Sequence, residues 1–234
     1  MNFGNTMYNF TVDGFTIIDN CIPIELLDSI YSKFDTLYPV RASSSNKTYA
    51  EGNQIKELND ISVWWSQLVI DWVEVQEINH IVHSKVLNYL PNSELYTSDI
   101  VVINGKSTWI NPHVDTPYRF KEYNFDKRLL GIQCIIPLFD LDKNNGSTGL
   151  VPKSHTKNFD INLCYKGQFN YWFSERVVQP EIKKGSVLMY NCRVLHSSMP
   201  NNVDTVRPAL LCNYVDSSIV EGIKKIDSVW SSNA

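Results

Sequence analysis

The order of hydrophobic and polar residues divides the chain into two halves with different periodicity. In the first half, residues 23–38 carry apolar side chains at helical spacing, and Pro23 suits a first helical turn. Residues 61–90 predict further helix that stops at Pro91, and residues 14–19 predict a short strand. The first half is therefore predicted to be mainly helical.

The second half contains short β-rich runs separated by turn residues. These runs are DIVVI (99–103), LLGIQCIIPL (129–138), SVLMY (186–190) and RPALLCNYV (207–215). The sequences NNGSTG and KKGS between them are typical of turns, and the polar stretch 40–54 predicts a loop. Strands that follow a helical half predict a mainly β protein, a sandwich or jelly roll with helices packed on one sheet. Because no linker separates the halves, we expect a single domain over residues 1–234.

Composition and charge limit the possible functions. The 234 residues are 43% hydrophobic and 20% charged, which is ordinary for a globular protein. A net charge of -4 argues against a nucleic-acid partner, and no apolar run is long enough to predict a membrane span. The five cysteines are widely spaced and form no C-x-x-C pair, which favours reduced thiols. Without a visible signal sequence, we expect a cytoplasmic protein.

The histidines provide the candidate chemistry. His80 and His83 lie on a predicted helix and His155 in a predicted loop, where structural roles are the simpler interpretation. His113 and Asp115 are two residues apart, so in an extended segment both side chains point to one face. With His196 they would complete a two-histidine, one-carboxylate site that suits Fe(II), although Mn, Co or Ni could use the same ligands.

Arg207, eleven residues after His196, adds a second candidate functional residue to this set. Arg207 begins the last predicted strand, and a buried arginine there would need an anionic partner. A co-substrate carboxylate would suit its guanidinium group. Ser198 lies two residues after His196 and offers a hydroxyl from the same region.

The order of these motifs resembles the phytanoyl-CoA dioxygenase-like family of Fe(II)/2-oxoglutarate-dependent oxygenases, which have a double-stranded β-helix (cupin-like) fold. The resemblance rests on HVD (113–115), NNGSTGLVPKSH (144–155), KKGSVLMYNCRVLHSS (183–198) and an arginine eleven residues after His196. The opening DGFTIIDNCIPIELLDSI (13–30) is also similar. Lys153 stands where the family usually has Gly, Ser186 where it often has Asp, and INPH replaces the common start of the first ligand motif.

The resemblance implies a role for each matching residue. His113, Asp115 and His196 would be catalytic iron ligands, with Fe(II), 2-oxoglutarate and O2 as cofactor and co-substrates. The residues that would bind 2-oxoglutarate are, in decreasing strength of the match, Arg207, Ser198, Gln133, Ile135 and Asn104. Halogenating relatives replace the carboxylate ligand, so Asp115 favours a hydroxylase that releases succinate and CO2.

The substrate is less defined. Residues 116–128 and 158–173 predict either a lid with a cationic side, suited to a small polar or anionic molecule, or an ordinary solvated loop and hydrophobic edge. Within these segments Arg119, Tyr118 and Trp172 are the candidate substrate contacts. Two other functions stay open: a cupin-like metal-dependent isomerase, lyase or hydrolase without 2-oxoglutarate, and a non-catalytic jelly-roll binding protein. The sequence does not predict an oligomeric state.

Overall fold

The computed structural model describes residues 8–37, 47–51, 54–58, 65–69, 71–107, 111–160 and 167–231. Within these ranges the helices are α1 (Phe10–Asp13), α2 (Ile24–Leu37), α3 (Val73–Val86), α4 (Asn170–Ser174) and α5 (Val220–Ser231). The strands are β1 (Phe15–Ile18), β2 (Lys47–Glu51), β3 (Gln54–Leu58), β4 (Trp65–Val69), β5 (Ser93–Ile103), β6 (Gly131–Pro137), β7 (Thr148–Leu150), β8 (Val187–Asn191), β9 (His196–Ser198) and β10 (Arg207–Asp216).

Two sheets build the jelly roll. The major sheet has the strand order β1-β8-β6-β10-β5-β4-β2-β3, and every pairing is antiparallel except β2 with β4. The minor sheet consists of β7 and β9, and single bridges extend it through His113 on one side and Val178 on the other. The prediction of a mainly β fold with flanking helices is confirmed.

Alternation along the strands gives the major sheet two different faces. On β10, Leu210, Cys212 and Tyr214 pack against the inner sides of α2 and α3 in one hydrophobic cluster. Ala209 belongs instead to a second cluster, which fills the space between the two sheets. The N-terminal helices therefore cover the outer face of the major sheet, and the inner face is free to line a site.

A third cluster covers the outside of the minor sheet. Val151 follows Leu150 of β7, and Leu195 precedes His196 of β9. Because Leu150 and His196 point inward, Val151 and Leu195 point away from the interior. They pack with Phe159 and Phe173 of the segment around α4, and with Ile223 of α5. The aromatic segment 158–173 thus lies on this outer cluster as far as it is described, with residues 161–166 outside the described ranges.

Two parts of the sequence prediction are wrong. Residues 65–69, expected to be helical, form strand β4, and the helix begins only at Val73. The stretch 40–54 was expected to be a loop, but Lys47–Glu51 is strand β2 and pairs with β3. The first half therefore contributes four strands beyond β1, and it is not mainly helical.

The described part of the chain has no helix that is both long and apolar enough to cross a membrane. Its cysteines are all free: Cys21 is half-buried, and Cys134, Cys192 and Cys212 are buried. Cys164 lies outside the described residues.

Candidate active site

The backbone brings the two histidines of the predicted triad side by side. His113 and His196 form an antiparallel bridge, in which the amide of each donates to the carbonyl of the other at 2.9 and 3.0 Å. Two residues further on, the Asp115 amide donates to the Cys192 carbonyl at 2.9 Å. These backbone bonds hold residues 113–115 in an extended conformation. His113 and Asp115 therefore point to the same face, as their spacing predicts.

The three side chains converge on one point. Nε2 of His113 lies 3.9 Å from Oδ1 of Asp115, and Nε2 of His196 lies 3.3 Å from Oδ2 of the same carboxylate. One donor atom from each residue lies within 4.8 Å of the others, a spacing at which a single cation could contact all three. Among the described residues this is the one such cluster of histidine, cysteine and acidic side chains.

Hydrogen bonds on the far side of each ring fix the histidine tautomers. Nδ1 of His113 lies 3.0 Å from the Asn111 carbonyl, and Nδ1 of His196 lies 2.9 Å from the Val194 carbonyl. Because a carbonyl oxygen only accepts, Nδ1 is the nitrogen that carries the hydrogen in the neutral form of each ring. Each Nε2 therefore turns its lone pair toward the cluster, which is the arrangement that a metal-binding histidine needs.

The local electrostatics favour a cation. Burial, and then the neighbouring His196, lower the pKa of His113 to about 4, so the ring is neutral at pH 7. Burial raises the pKa of Asp115, but His196, His113 and the Tyr190 hydroxyl together lower it by more, so the carboxylate is ionised. His113 and Asp115 keep 21% and 25% of their side-chain surface exposed, against 6% for His196. The site is thus open to solvent on the side of His113 and Asp115.

Tyr190, which sequence reasoning did not single out, lies against the triad. It is on the inner face of β8 and is 1% exposed. Its hydroxyl donates to Oδ2 of Asp115 at 2.9 Å and lies 3.2 Å from Nε2 of His196. Burial, and then the Asp115 charge, raise the pKa of Tyr190 well above its ordinary value, so the hydroxyl keeps its proton. Its alternation with Leu188 along β8 is the signal that could have identified it.

Arg207 is a buried cation without a carboxylate partner among the described residues. It is 3% exposed and begins β10 on the same face as Ala209, which belongs to the cluster between the sheets. Its Nε has no hydrogen-bond partner. Burial lowers its pKa to about 10, which leaves it charged at pH 7. Such a group is costly unless an anion pairs with it.

The other predicted co-substrate residues occupy different surroundings. Gln133 and Ile135 both lie on the inner face of β6: Gln133 accepts from Nδ2 of Asn213 at 2.9 Å, and Ile135 packs in the cluster between the sheets. Ser198 is half-buried on β9, opposite Thr148. The carbonyl of Asn104 accepts from Asn201 at 3.2 Å in the turn that precedes Arg207.

The three predicted substrate contacts separate into two groups. Arg119 is exposed, its amide donates to the Asp115 carbonyl at 3.1 Å, and its charge influences both His113 and Asp115. Tyr118 and Trp172 instead belong to the outer cluster of the minor sheet. The Tyr118 hydroxyl donates to the Arg128 carbonyl and accepts from the Leu130 amide. The structure thus brings Arg119, and not the other two, close to the triad.

Arg193 organises the segment that follows Asp115. This buried arginine donates to the carbonyls of Asp126 and Lys157, and its guanidinium lies 5.4 Å from the Tyr118 ring centroid. Residues 116–126 form successive turns beside this anchor, with Tyr118, Phe120 and Asn124 buried and Arg119, Lys121, Glu122 and Phe125 exposed. The sequence contains no pattern that would have identified Arg193, because its partners, two backbone carbonyls and Oδ1 of Asn158, are distant in sequence.

The comparison with known proteins agrees with this arrangement. The sequence profile of the phytanoyl-CoA dioxygenase (PhyH) family matches residues 10–209. No curated protein sequence matches the chain.

Solved structures share the fold at low sequence identity. The non-heme alpha-ketoglutarate-dependent epimerase SnoN from nogalamycin biosynthesis aligns over 89% of this chain and 78% of its own, with a TM-score of 0.64 and 14% identity. HygX from Streptomyces hygroscopicus, solved with nickel, 2-oxoglutarate and hygromycin B, aligns over 89% and 85%, with a TM-score of 0.65 and 13% identity. The carbocyclase SnoK, also alpha-ketoglutarate dependent, aligns over 89% and 81%, with a TM-score of 0.61 and 17% identity.

The family profile spans the whole segment from α1 to the first residues of β10, and so includes the triad and Arg207 in order. The protein therefore belongs to the phytanoyl-CoA dioxygenase family.

Proposed function

We propose that this protein is an Fe(II)- and 2-oxoglutarate-dependent dioxygenase that hydroxylates a small polar or anionic molecule, with release of succinate and CO2. The observation that carries the proposal is the convergence of His113, Asp115 and His196, whose donor atoms lie within 4.8 Å of one another. Membership of the dioxygenase family supports the same reaction type.

The donor set fits iron. Two imidazole lone pairs and one ionised carboxylate on a single face are the ligands of non-heme Fe(II) oxygenases, and they leave positions open on the opposite side. The hydrogen bonds from Nδ1 to the carbonyls of Asn111 and Val194 hold the rings before any metal arrives. His113, Asp115 and His196 would therefore bind the metal with little rearrangement.

Arg207 fits the co-substrate. Its Nε has no partner and no described carboxylate pairs with it, so a carboxylate of 2-oxoglutarate would satisfy a cation that is otherwise buried alone. Ser198 and Gln133 are the next candidates to contact the co-substrate, and Ile135 would supply apolar wall. A cupin-like enzyme that does not use 2-oxoglutarate, or a binding protein, gives Arg207 no such role.

An iron centre with 2-oxoglutarate supplies oxidation of a substrate C–H bond by O2, coupled to conversion of 2-oxoglutarate to succinate and CO2. The protein's own contribution is to orient and exclude water. His196 and Tyr190 form a dry inner wall, being 4% and 1% exposed. Substrate would approach from the open side, where His113 and Asp115 retain exposed surface.

Arg119 is the candidate for substrate recognition on that open side. It follows Asp115 by one turn, and its guanidinium lies 5.0 Å from the Phe120 ring centroid. A cation beside the metal ligands would attract a carboxylate, a phosphate or a polar hydroxyl group. Tyr118 and Trp172 would act on substrate only through the packing of the outer cluster.

The reaction outcome is tested by product analysis. SnoN is described as an epimerase and SnoK as a carbocyclase, so enzymes of this fold do not all hydroxylate. Hydroxylation predicts a product that has gained one oxygen atom from O2, whereas epimerisation or ring closure adds none. Mass spectrometry after incubation under labelled oxygen distinguishes these outcomes.

The first test is anaerobic titration of Fe(II) and 2-oxoglutarate into the protein, followed by visible absorption. We expect a metal-to-ligand charge-transfer band, because 2-oxoglutarate chelated to Fe(II) absorbs in the visible. His113→Ala should abolish the band. Arg207→Met should raise the 2-oxoglutarate concentration needed by roughly 30-fold or more, since losing one partner of a buried charge pair costs about 2–5 kcal/mol.

Arg176→Met provides a matched control. Arg176 lies on the surface beside Glu175, with its guanidinium 4.9 Å from the Trp172 ring centroid. This variant should keep the band at wild-type 2-oxoglutarate concentrations. Iron binding without any band would contradict the use of 2-oxoglutarate and favour the cupin-like alternative. A protein that binds neither Fe(II) nor 2-oxoglutarate would contradict the proposal altogether.

A further inference from the structure

Tyr190 carries a hydroxyl that contacts two members of the triad, and the proposed function gives this hydroxyl no role beyond lining the site. Its ring is held from several sides: the His196 ring centroid lies at 4.8 Å, and Phe15 and Leu188 belong to the same buried cluster. The hydroxyl reaches two polar groups, Oδ2 of Asp115 at 2.9 Å and Nε2 of His196 at 3.2 Å. Because the ring is fixed by packing, the hydroxyl position is fixed as well.

The two neighbours compete for one hydrogen. The Asp115 oxygen accepts, and Nε2 of His196 also accepts because the hydrogen of that ring is on Nδ1, beside the Val194 carbonyl. Tyr190 has a single O–H, so it can satisfy only one of them fully. A cation that takes the lone pair of Nε2 removes one competitor, and the hydroxyl then donates to Asp115 alone.

This competition defines a role that depends on the metal site. We propose that Tyr190 is a positioning residue that holds the Asp115 carboxylate through Oδ2, so that Asp115 binds the metal through one oxygen. The inference rests on the proposed function, since it concerns the same metal site. Tyr190 acts through Asp115 and is not itself a ligand.

The consequence concerns the number of open positions at the metal. A carboxylate that rotates freely can chelate a cation with both oxygens and occupy an additional position. An oxygen already engaged by a hydroxyl on a packed ring is less available for that second bond. Tyr190 would thereby keep open the positions that a chelating co-substrate and O2 require, and it would also lower the cost of ordering Asp115.

The test is calorimetric titration of Ni2+ into metal-free wild type, Tyr190→Phe and Tyr214→Phe, followed by 2-oxoglutarate into each loaded protein. Tyr214 is the matched control, because its buried hydroxyl donates to the Asn79 carbonyl at 2.9 Å on the helix-covered face. Both variants lose one buried hydrogen bond, which should cost each of them about 1 kcal/mol of unfolding free energy in urea. A purely structural role predicts equal behaviour of the two.

We expect Tyr190→Phe to weaken Ni2+ binding by about 10-fold or more, the usual effect of removing a partner of a metal ligand, while Tyr214→Phe matches wild type. The visible absorption of the Co2+-loaded protein should change in Tyr190→Phe alone, because the coordination of Asp115 changes. Ni2+ affinity of Tyr190→Phe within about twofold of wild type would overturn the proposal. A phenolate-to-Fe(III) absorption band in the Fe(III)-loaded wild type that is missing in Tyr190→Phe would also overturn the proposal, because Tyr190 would then be a metal ligand.

The same titrations separate this inference from the proposed function. One outcome overturns the role of Tyr190 alone: the wild type binds Ni2+ and then 2-oxoglutarate, and Tyr190→Phe binds both with the same affinities. Wild type that fails to bind Ni2+ overturns both. Metal-binding measurements with Ni2+ and Co2+ require no catalysis, so they can be made before the substrate is known.

Discussion

Lys153 is held in a backbone conformation that lysine rarely adopts. It precedes the 3-10 turn Ser154–Thr156 with φ 64° and ψ 3°, in the left-handed region. Its amide donates to the Asp13 carbonyl at 2.8 Å, which joins this turn to the end of α1. The family resemblance aligns Lys153 with a position that is expected to be Gly, and a positive φ is a physical reason to expect Gly there.

Replacing Lys153 with Gly should stabilise the protein. Relief of the left-handed strain is worth about 1–2 kcal/mol, and the added freedom of glycine in the unfolded chain removes roughly 0.5–1 kcal/mol. We expect a net gain of about 0.5–1 kcal/mol in unfolding free energy, measured by urea denaturation. Lys157→Gly is the control and should destabilise, because Lys157 has φ -100° and gains nothing from glycine. Equal loss in both variants would show that φ of Lys153 carries no strain.

At the residue scale, the sequence predicts functional residues whose chemistry requires a fixed spacing along the chain. It does not predict residues whose partners are mainly backbone groups. The i, i+2 spacing of His113 and Asp115 predicts their common direction, and the structure brings both to His196. Arg193 gives no such signal, because it bonds carbonyls of Asp126 and Lys157 that any residues could supply. Tyr190 is intermediate: strand alternation predicts its inward face, but only folding places its hydroxyl on Asp115.

The contact between helices α2 and α3 includes a half-buried polar junction. Glu74, in the first turn of α3, accepts from Ser29 at 2.7 Å and from Lys33 at 2.6 Å, both on α2. The Lys33 hydrogen bond first, and then that of Ser29, lower the pKa of Glu74 to about 2. Lys33 remains 42% exposed, so solvent screens the pair and the stabilisation is about 1 kcal/mol or less.

Glu74→Gln should therefore destabilise the protein in a pH-dependent way. The pKa of Glu74 in the folded protein lies below its unfolded value near 4.5, so the folded state favours the ionised form. Its contribution is complete above about pH 5 and is lost as the pH falls toward 2. Urea denaturation should show a deficit of about 1 kcal/mol or less for Glu74→Gln at pH 7, and a smaller deficit at pH 3.

Glu77→Gln controls for a general effect of charge on α3. Glu77 is exposed on the same helix, and its replacement should leave the unfolding free energy nearly unchanged at both pH values. A Glu74→Gln deficit that is as large at pH 3 as at pH 7 would assign the effect to shape rather than to ionisation.

At the element scale, prediction succeeds for strands and helices that carry their own periodicity. Strands β6, β8 and β10 are apolar runs bounded by turn residues, and α2 shows helical spacing with Pro23 before its first turn. Strand β4 is missed because its apolar residues Trp65, Leu68 and Val69 have the i, i+3, i+4 spacing of a helix. Its conformation is decided by pairing with β5, a contact distant in sequence.

Strands β2 and β3 are not predicted from the sequence for a different reason. Their sequences KTYAE and QIKEL are mostly polar, so neither shows the alternation that predicts a half-buried strand. Helix α5 also lies outside the sequence prediction, although Val220 and Ile223 have helical spacing and become buried on the outer cluster. Pairing and packing partners, rather than local preference, determine these elements.

At the scale of the whole molecule, the fold keeps a cation inside without a described carboxylate to neutralise it. The helices cover one face of the major sheet, and the minor sheet with its outer cluster closes over the other. Arg207 lies on the enclosed face, and burial lowers its pKa from 12.5 to about 10, which corresponds to roughly 3 kcal/mol of lost solvation of the charged form. We therefore expect the unliganded protein to be less stable than an otherwise identical chain with an apolar residue there.

Arg207→Met should show this conflict between stability and binding. Without ligand, the variant should gain roughly 1–3 kcal/mol, because an apolar side chain of similar volume replaces an unpaired buried charge. The melting temperature should rise by about 2–4 °C for each kcal/mol gained. With Ni2+ bound and 2-oxoglutarate at about 100 times the wild-type Kd, 2-oxoglutarate should add about 2.7 kcal/mol to the wild type by mass action, but about 1 kcal/mol or less to the variant, whose Kd is roughly 30-fold higher or more.

Thermal unfolding of both proteins, with Ni2+ alone and with Ni2+ and 2-oxoglutarate, measures the two effects together. Without 2-oxoglutarate the variant should melt at a higher temperature than the wild type, and adding 2-oxoglutarate should narrow or reverse this difference. A variant that melts lower than wild type in both conditions would mean that Arg207 stabilises the fold by itself. In that case a carboxylate partner within the chain, and not the co-substrate, would explain why an arginine occupies this position.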